Sequence, residues 1–303
     1  MKNLLTIFFL LLFCTTAILA QQDAQFSQNM FNHLAINPAA AGITKKMCVK
    51  TLCRTQWVGF EGAPKTGLIS ADGWFAKVGG LGLTVVSDRI GFEKNFEAKL
   101  AWSAQFDVGV GILAGGLEGG IIQKSLTGNW LAPTSTTGDV AIPAPSLSSS
   151  TYDAGAGVYF RNDQIYAGLS TSHIPESIIK QGTVKFRNEM HHYITAGYYH
   201  AINPRLVLNP SVFVKSDASS TQLDANVIAL FNNTFWLGAS YRLTDAVVAL
   251  GGIRFGDWKF GYSFDLTTSD IRKYSSNTHE FLISYCIKRP EYRSSHSNVL
   301  WLW

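Results

Sequence analysis

A chain of 303 residues with 13% aromatic and 15% charged side chains, 27 glycines and a net charge of +4 carries far fewer charges than the roughly one-quarter usual in a globular domain. No basic run or basic helix face accompanies the weak positive charge, so nucleic acid is excluded as a partner. Low charge, many aromatics and few helix-capping patterns predict an all-β protein with a large apolar exterior.

The first residues, MKNLLTIFFLLLFCTTAILAQQ, combine one lysine, an apolar run from Leu4, and Ala20 before a polar start. That layout predicts a signal peptide over 1–20, cleaved after Ala20, with an uncleaved anchor as the alternative. Bulky Phe13 stands where lipid attachment at Cys14 needs a small residue, which excludes a lipoprotein. No later apolar stretch approaches the roughly 18–20 residues of a membrane-spanning helix. Cys48, Cys53 and Cys286 form an odd, scattered set, which is not a disulfide framework. Cys48 and Cys53 share one predicted strand and point to opposite faces, so neither a bridge nor a metal site joins them.

Next comes QFSQNMFNHLAINPAAAG, residues 25–42, too polar to cross a membrane and broken by Asn37-Pro38 and Gly42. Phe26, Met30 and Leu34 recur at helical spacing and predict one or two turns before the proline. Strict alternation follows. EAKLAWSAQF (97–106) sets Ala98, Leu100, Trp102 and Phe106 against Glu97, Lys99, Ser103 and Gln105. RLVLNPSVFVK (205–215), TFWLGASYRL (234–243) and DWKFGYSFDLT (257–267) repeat the pattern, the last with Trp258, Phe260, Tyr262, Phe264 and Leu266 on one face. Each reads as a strand with one apolar and one polar side.

A soluble sandwich and a membrane barrel share that alternation, and strand length separates them. Many candidates run about 10–12 residues, near the length that crosses a bilayer at a tilt, against about 5–6 for a common globular strand. Roughly fourteen strands are predicted, an even number as bacterial barrels require. Joints after every second strand are short, near Lys77, Asp107, Asn162, Ile202, Asn232 and Gly256. The longest, about 125–150 and 173–190, fall in the other set, which is the asymmetry of short periplasmic turns and longer outer loops. Trp57, Phe60, Trp74, Phe75, Trp236, Trp258 and Tyr285 suit interfacial girdles. The fold predicted is an all-β transmembrane antiparallel barrel of about 14 strands over 47–288, behind an N-terminal segment (21–46) and ahead of a tail (289–303).

A lumen of that width is not filled by strand side chains alone. Residues 22–45 are expected to fold back into it from the periplasmic end as a plug, with a flexible periplasmic leader as the alternative. Phe26, Met30, Phe31, Leu34 and Ile36 supply apolar bulk, while Gln25, Ser27, Gln28, Asn29, Asn32 and Asn37 supply neutral hydrogen bonds. Pro38 and Gly42 shape the segment's end. Glu97, Lys99, Asp224, Arg242, Lys259, Asp265 and Glu280 are read as lumen charges that pair and stabilise the barrel. The sequence offers no catalytic residue, cofactor site or metal site. His191-His192 is no metal pair, because adjacent strand residues diverge. The glycine runs over 109–121 precede no helix, so they fail as phosphate loops and read as smooth strand surface or close backbone approach.

QFSQNMFNHLAINPAAAG, with RTQWVGFEGAPKTG (54–67), GLGLTVVSDRIG (80–91), AGAGVYFRNDQIYAGLS (154–170), HHYITAGYYHAI (191–202), FWLGASYR (235–242) and GYSFDLTTSDIRKYSSNTHEFLISY (261–285), closely resembles the PorP/SprF family of type IX secretion proteins. The resemblance spans nearly all of the chain behind its leader. It implies an outer-membrane barrel of the Bacteroidota that works with other type IX secretion components, in contact with outer-membrane lipid. It further implies export or surface retention of large adhesins carrying a type B C-terminal sorting domain, in some members for gliding motility. The family usually has proline where this chain has His33, and commonly an aromatic where it has Ala40. The tail RPEYRSSHSNVLWLW (289–303) also departs from barrels that end on their last strand. The assembly signal is either internal, at Phe281, Ile283 and Tyr285, or continued by Trp301 and Trp303.

Candidate partner loops are VGFEGAPKT, with Trp57, Phe60, Pro64 and Lys65, and the Ser/Thr/Pro-rich stretch 126–150 with Trp130 and Leu131 embedded. A tight rim loop and an ordinary surface loop are the respective alternatives. Cargo recognition by strand addition to a sheet edge is a further expected mode. The function expected is a non-enzymatic secretion component, with an outer-membrane porin or transporter for small or hydrophobic solutes as the alternative.

Overall fold

The computed structural model describes residues 23–128, 146–181, 184–217 and 219–288; the leader, Trp130, Leu131 and the tail lie outside them. The strands are β1 (Lys46–Thr55), β2 (Lys65–Phe75), β3 (Gly79–Ile90), β4 (Glu93–Asp107), β5 (Ile112–Thr127), β6 (Ser146–Arg161) and β7 (Ile165–Ser172). There follow β8 (Ser177–Gln181), β9 (Val184–Asn188), β10 (His191–Tyr198), β11 (His200–Asn203), β12 (Leu206–Ser216), β13 (Thr221–Phe231), β14 (Phe235–Arg242), β15 (Ala246–Phe255), β16 (Trp258–Thr267) and β17 (Thr278–Lys288). Every pairing is antiparallel. β1 pairs with β17, and β10 bridges β7 and β12, so the sheet returns on itself. With β10 and β11 counted as one stave broken at Tyr199, the barrel is closed and 14-stranded. β8 and β9 pair only with each other, a hairpin inside the 173–190 connection that the sequence reading treats as plain loop.

Alternation decides which face meets which medium. Leu100 and Leu237 are 68% and 61% exposed, while Asp224 and Glu280 are 0% exposed. The apolar face therefore points outward and the charged face inward, as lipid outside a barrel requires. Trp102, Phe106, Phe235, Phe255 and Trp258 project outward. Two expected girdle residues do not. Trp236 is buried on the inner face, and Trp74 lies half-buried beneath the Lys45 ammonium, 3.0 Å from its ring centroid. Parity along β14 places Trp236 with Ser240 and Arg242, and there its indole meets Phe31 at 5.2 Å.

The connections at one barrel end are 2–4 residues long, as at 204–205 and 232–234. Asn232 and Asn233 both take left-handed φ, 49° and 54°, the geometry of a tight hairpin turn. The other end carries the long connections 128–145 and 173–190, which makes it the outer side. β1 starts at the short-turn end, directly after Lys45.

Cys48 and Cys286 stand opposite each other in the β1–β17 ladder and form a disulfide across 238 residues. Cys53 is free and exposed. The odd count misled because the bridge joins the first strand to the last, an adjacency that only closure creates. The bond staples the seam against a very long loop, for which about 2–4 kcal/mol is typical. A reducing agent, or Cys48→Ser with Cys286→Ser, is expected to lower the thermal unfolding midpoint of the detergent-solubilised barrel. Cys53→Ser is expected to leave it unchanged.

Candidate functional site: the lumen segment and the outer rim

Residues 23–45 carry no exposed position. Hydrogen-bond partners on β1, β2, β4, β6, β7, β12, β14, β16 and β17 surround them, so the segment runs within the lumen. Three 3-10 turns, Asn29–Phe31, His33–Ala35 and Pro38–Ala40, replace the α-helical turns that the Phe26/Met30/Leu34 spacing predicts. Asn37 caps the last turn through its own side chain, which accepts from the Ala39 amide at 2.9 Å. Asn37-Pro38 halts propagation, since proline offers no N–H and restricts the residue before it.

The direction of travel follows from the partners. Asp23 contacts His173, His191, Tyr193 and Lys215, all at the long-loop ends of their strands. Asn32 meets Ser70 Oγ at mid-height, 3.1 Å away. The Gly42 amide donates to Asp72, and the Ala41 carbonyl accepts from Ser103 and Gln105, close to the short-turn end. The chain thus descends from the outer side at Asp23 to the start of β1.

At the upper level a buried ion network grips Ser27. Arg54 lies 2.8 Å from Asp265 and 3.1 Å from Glu280, and Arg242 lies 3.0 Å from Asp265 and 3.3 Å from Asp224. The Ser27 hydroxyl donates to Asp265 at 2.6 Å and accepts from Arg54 and Arg242, each at 2.9 Å. Glu280 takes the amides of Ser27 and Gln28, both at 2.8 Å. Two strand cations and three strand carboxylates pair with one another across the wall, and the segment adds the Ser27 hydroxyl and the Ser27 and Gln28 amides to them. A buried charge without such partners is strongly unfavourable.

Beside this network His173 hydrogen-bonds two carboxylates, Asp153 through Nδ1 at 2.9 Å and Asp23 through Nε2 at 3.0 Å. Burial alone lowers the His173 pKa, but the two carboxylates more than reverse that and push it up to about 10. Burial raises the Asp23 carboxyl, and His173 and His191 outweigh it, holding the group well below its usual range. The ring is an imidazolium clasped between anions.

The middle level is apolar and aromatic. Met30, Phe31, Ala39, Ala40 and Ile43 pack into one cluster with Leu52, Leu68, Tyr159, Tyr166, Trp236 and Leu282 from the wall. His33 stacks near Tyr159 and Tyr166, with its Nδ1 2.7 Å from the Tyr159 hydroxyl. A proline there would lose that contact. Asn37 donates to the carbonyls of Val158 and Leu169, which sit opposite one another on β6 and β7, at 3.0 and 3.2 Å. Room for this comes from glycine: a Cβ on Gly157 would collide with the Asn37 side chain, and one on Gly116 with the Ala39 backbone. The glycine run 109–121 therefore includes a point of close backbone approach, the second of its two expected readings.

Between the segment and the wall, beside Phe26, Asn32, Leu52, Glu97 and Tyr193, a cavity of about 50 Å³ remains, space for a few waters and no larger solute. On the outer rim a groove of about 400 Å³ lies among Thr55, Val58, Phe60, Glu61, Lys65 and Arg89. Trp57 takes a left-handed φ of 48° and its amide donates to Thr278 Oγ1 at 3.0 Å, tying this loop to the start of β17. Phe60 and Lys65 are exposed, Trp57 is half-buried, and Pro64 is buried.

All the lumen residues expected from the sequence (Gln25, Phe26, Met30, Phe31, Asn32, Ile36, Asn37, Pro38 and Gly42) are buried or half-buried in the segment. The seven expected lumen charges also face inward, although Lys99 and Glu97 join the Asp153 group and not the arginine network. Sequence reasoning missed Asp23, Arg54, Asp153, His173 and the central position of Ser27. Period-two parity places Arg54 and Asp153 on inner faces, but no local signal brings Asp23 to His173 across 150 residues.

The family model described as type IX secretion system membrane protein PorP/SprF matches residues 18–285. No curated protein matches this chain in sequence. Among solved structures the chain is similar to the toluene transporter TodX of Pseudomonas putida, at 13% identity over 85% of this chain and 93% of that one, with a TM-score of 0.49. It is also similar to a FadL homologue of Pseudomonas aeruginosa (12% identity, 84% and 93% covered, TM-score 0.46) and to CdiB from Acinetobacter baumannii (10% identity, 80% and 60% covered, TM-score 0.43).

Proposed function

Since this chain belongs to the PorP/SprF family of type IX secretion system membrane proteins, we propose that it is a closed outer-membrane barrel that holds secreted adhesins at the cell surface. Residues 23–45 act as the plug, the work is done on the outer rim, and the barrel performs no chemistry of its own. The observation that carries this reading is the packing of the segment against the wall at three heights, from Ser27 among the arginines down to Gly42 on Asp72. The cavity of about 50 Å³ beside the segment has room for waters alone, which supports the closed reading over the porin alternative.

Cargo meets the loops around Phe60 and Lys65 and the long outer connections, and its C-terminal sorting domain supplies the recognised surface. The leader over 1–20 is removed after Ala20 in this account. Asp23 lies at the outer end of the bore, and an attached apolar leader would have to continue from there.

Detergent-solubilised outer membrane, affinity-captured on this chain and analysed by mass spectrometry, tests the proposal. A large secreted protein with a C-terminal sorting domain is expected to co-purify, along with other type IX components. Replacing Phe60 and Lys65 by serine is expected to deplete the cargo and leave the barrel folded. Capture of the barrel alone, with steady conductance of small solutes, contradicts the proposal and favours the porin.

A further inference from the structure

We propose that Asp23, His173 and His191 form a zinc site that fastens the outer end of the lumen segment to the barrel wall. One ligand atom from each lies within 4.8 Å of the others. His173 directs Nε2 at both carboxylate oxygens of Asp23, 3.0 and 3.1 Å away, and His191 directs Nε2 at the Asp23 amide, 3.2 Å away.

The other nitrogen of each ring already has a partner, although His191 Nδ1 also lies 4.0 Å from Asp23 Oδ2. His173 Nδ1 bonds the Asp153 carboxylate at 2.9 Å, and His191 Nδ1 the carbonyl of Glu189 at 3.0 Å. Metal-binding histidines show this arrangement: the second nitrogen donates to a carboxylate or carbonyl, which fixes the ring and leaves Nε2 for the ion. His173 also takes a left-handed φ of 57°, a conformation rare outside glycine that persists where surroundings enforce it. Two imidazoles and a carboxylate suit zinc, with bonds of about 2.0–2.2 Å. Tetrahedral bonds of that length hold ligand atoms roughly 3.3 Å apart, close to the 3.0 Å between His173 and Asp23.

Zinc displaces the proton now between His173 and Asp23, and His191 turns its Nε2 from the amide to the ion. The Tyr193 hydroxyl donates to Asp23 Oδ2 and holds the carboxylate from the other side. Lys99 and Lys215 are the nearest cations. Lys99 is offset by Glu97, Glu118 and Asp153, and Lys215 is engaged by the Asp23 carbonyl at 2.9 Å. The site deepens the plug reading, since it names what secures the segment's outer end, yet zinc binding and lumen closure can fail separately.

The test uses the full barrel in detergent, without a histidine tag, stripped with EDTA and titrated with zinc sulfate, with bound metal measured by elemental analysis. Wild type and His192→Gln are expected to bind one zinc per chain, and His173→Gln or His191→Gln to lose it while the heat-modifiable barrel band persists. Asp153→Asn, which removes only the outer support of His173, is expected to weaken binding 10–100-fold. Cobalt in place of zinc is expected to give the visible bands of a four-coordinate ion. Wild type that binds no zinc after stripping, or His191→Gln that binds as wild type does, overturns the site and leaves a proton-held ion pair. Conductance of the same samples separates the readings. A closed lumen without zinc binding refutes the site alone, and an open wild-type lumen refutes the plug.

Discussion

Arg54→Met is expected to destabilise the barrel by about 3–5 kcal/mol, the cost of breaking a buried pair and leaving carboxylates without their cation. Arg54 bonds Asp265, Glu280 and Ser27 at once, with a side chain 1% exposed. Its loss leaves Glu280 to the two backbone amides and Asp265 to Arg242 and Ser27. The thermal midpoint in detergent, followed by heat-modifiable mobility, should fall, and residues 23–30 should become open to protease. Arg54→Met with Asp265→Asn should recover part of the loss, because a matched removal strands less charge than a single one. Wild-type stability in Arg54→Met contradicts the assignment of the network as the segment's upper anchor. Arg54→Lys keeps the charge but not the fork that reaches two carboxylates, and an intermediate midpoint is expected.

Much of this architecture is legible because a period of two survives any amount of tertiary context. Glu97, Asp224, Arg242, Lys259, Asp265 and Glu280 fall on the inner face by counting alone, and the short turns fall where Asn232-Asn233 and Gly256 mark them. The mixed chemistry of the opening segment, apolar bulk beside uncharged hydrogen-bonding groups, is what suggests a lumen role, and the plug stays a proposal. Long-range coincidence was not legible. Cys48 meets Cys286 only because the sheet closes, and Asp23 meets His173 only because the segment climbs the full bore.

One local rule also misled, and a second held. Aromatic character assigned Trp236 to a lipid girdle, while its parity on β14 already placed it with Arg242. Adjacency dismissed His191-His192 as a metal pair. The two side chains do diverge, His191 inward at 1% exposure and His192 outward, but the partner that matters for His191 lies on another stretch of chain. His33 is a buried core residue held between Tyr159 and Tyr166.

The second large effect concerns the bore. Removing residues 22–42 deletes Ser27, Phe31, Leu34 and Asn37 together, and with them the middle-level packing of Met30, Phe31, Ala39 and Ala40. The wall keeps its ladder of backbone hydrogen bonds and its Cys48–Cys286 seam, so the truncated chain is expected to insert and remain closed into a barrel. A ring of fourteen strands is too wide for its own side chains to fill, and the inner face left behind carries Arg54, Arg242, Asp224, Asp265 and Glu280. Water and ions should enter it. Single-channel recording in a planar bilayer, comparing the intact chain with the form lacking 22–42, is therefore the most direct measurement. The account predicts a silent intact barrel and a steadily conducting truncated one; equal conductance from the two, with both barrels folded, would contradict it.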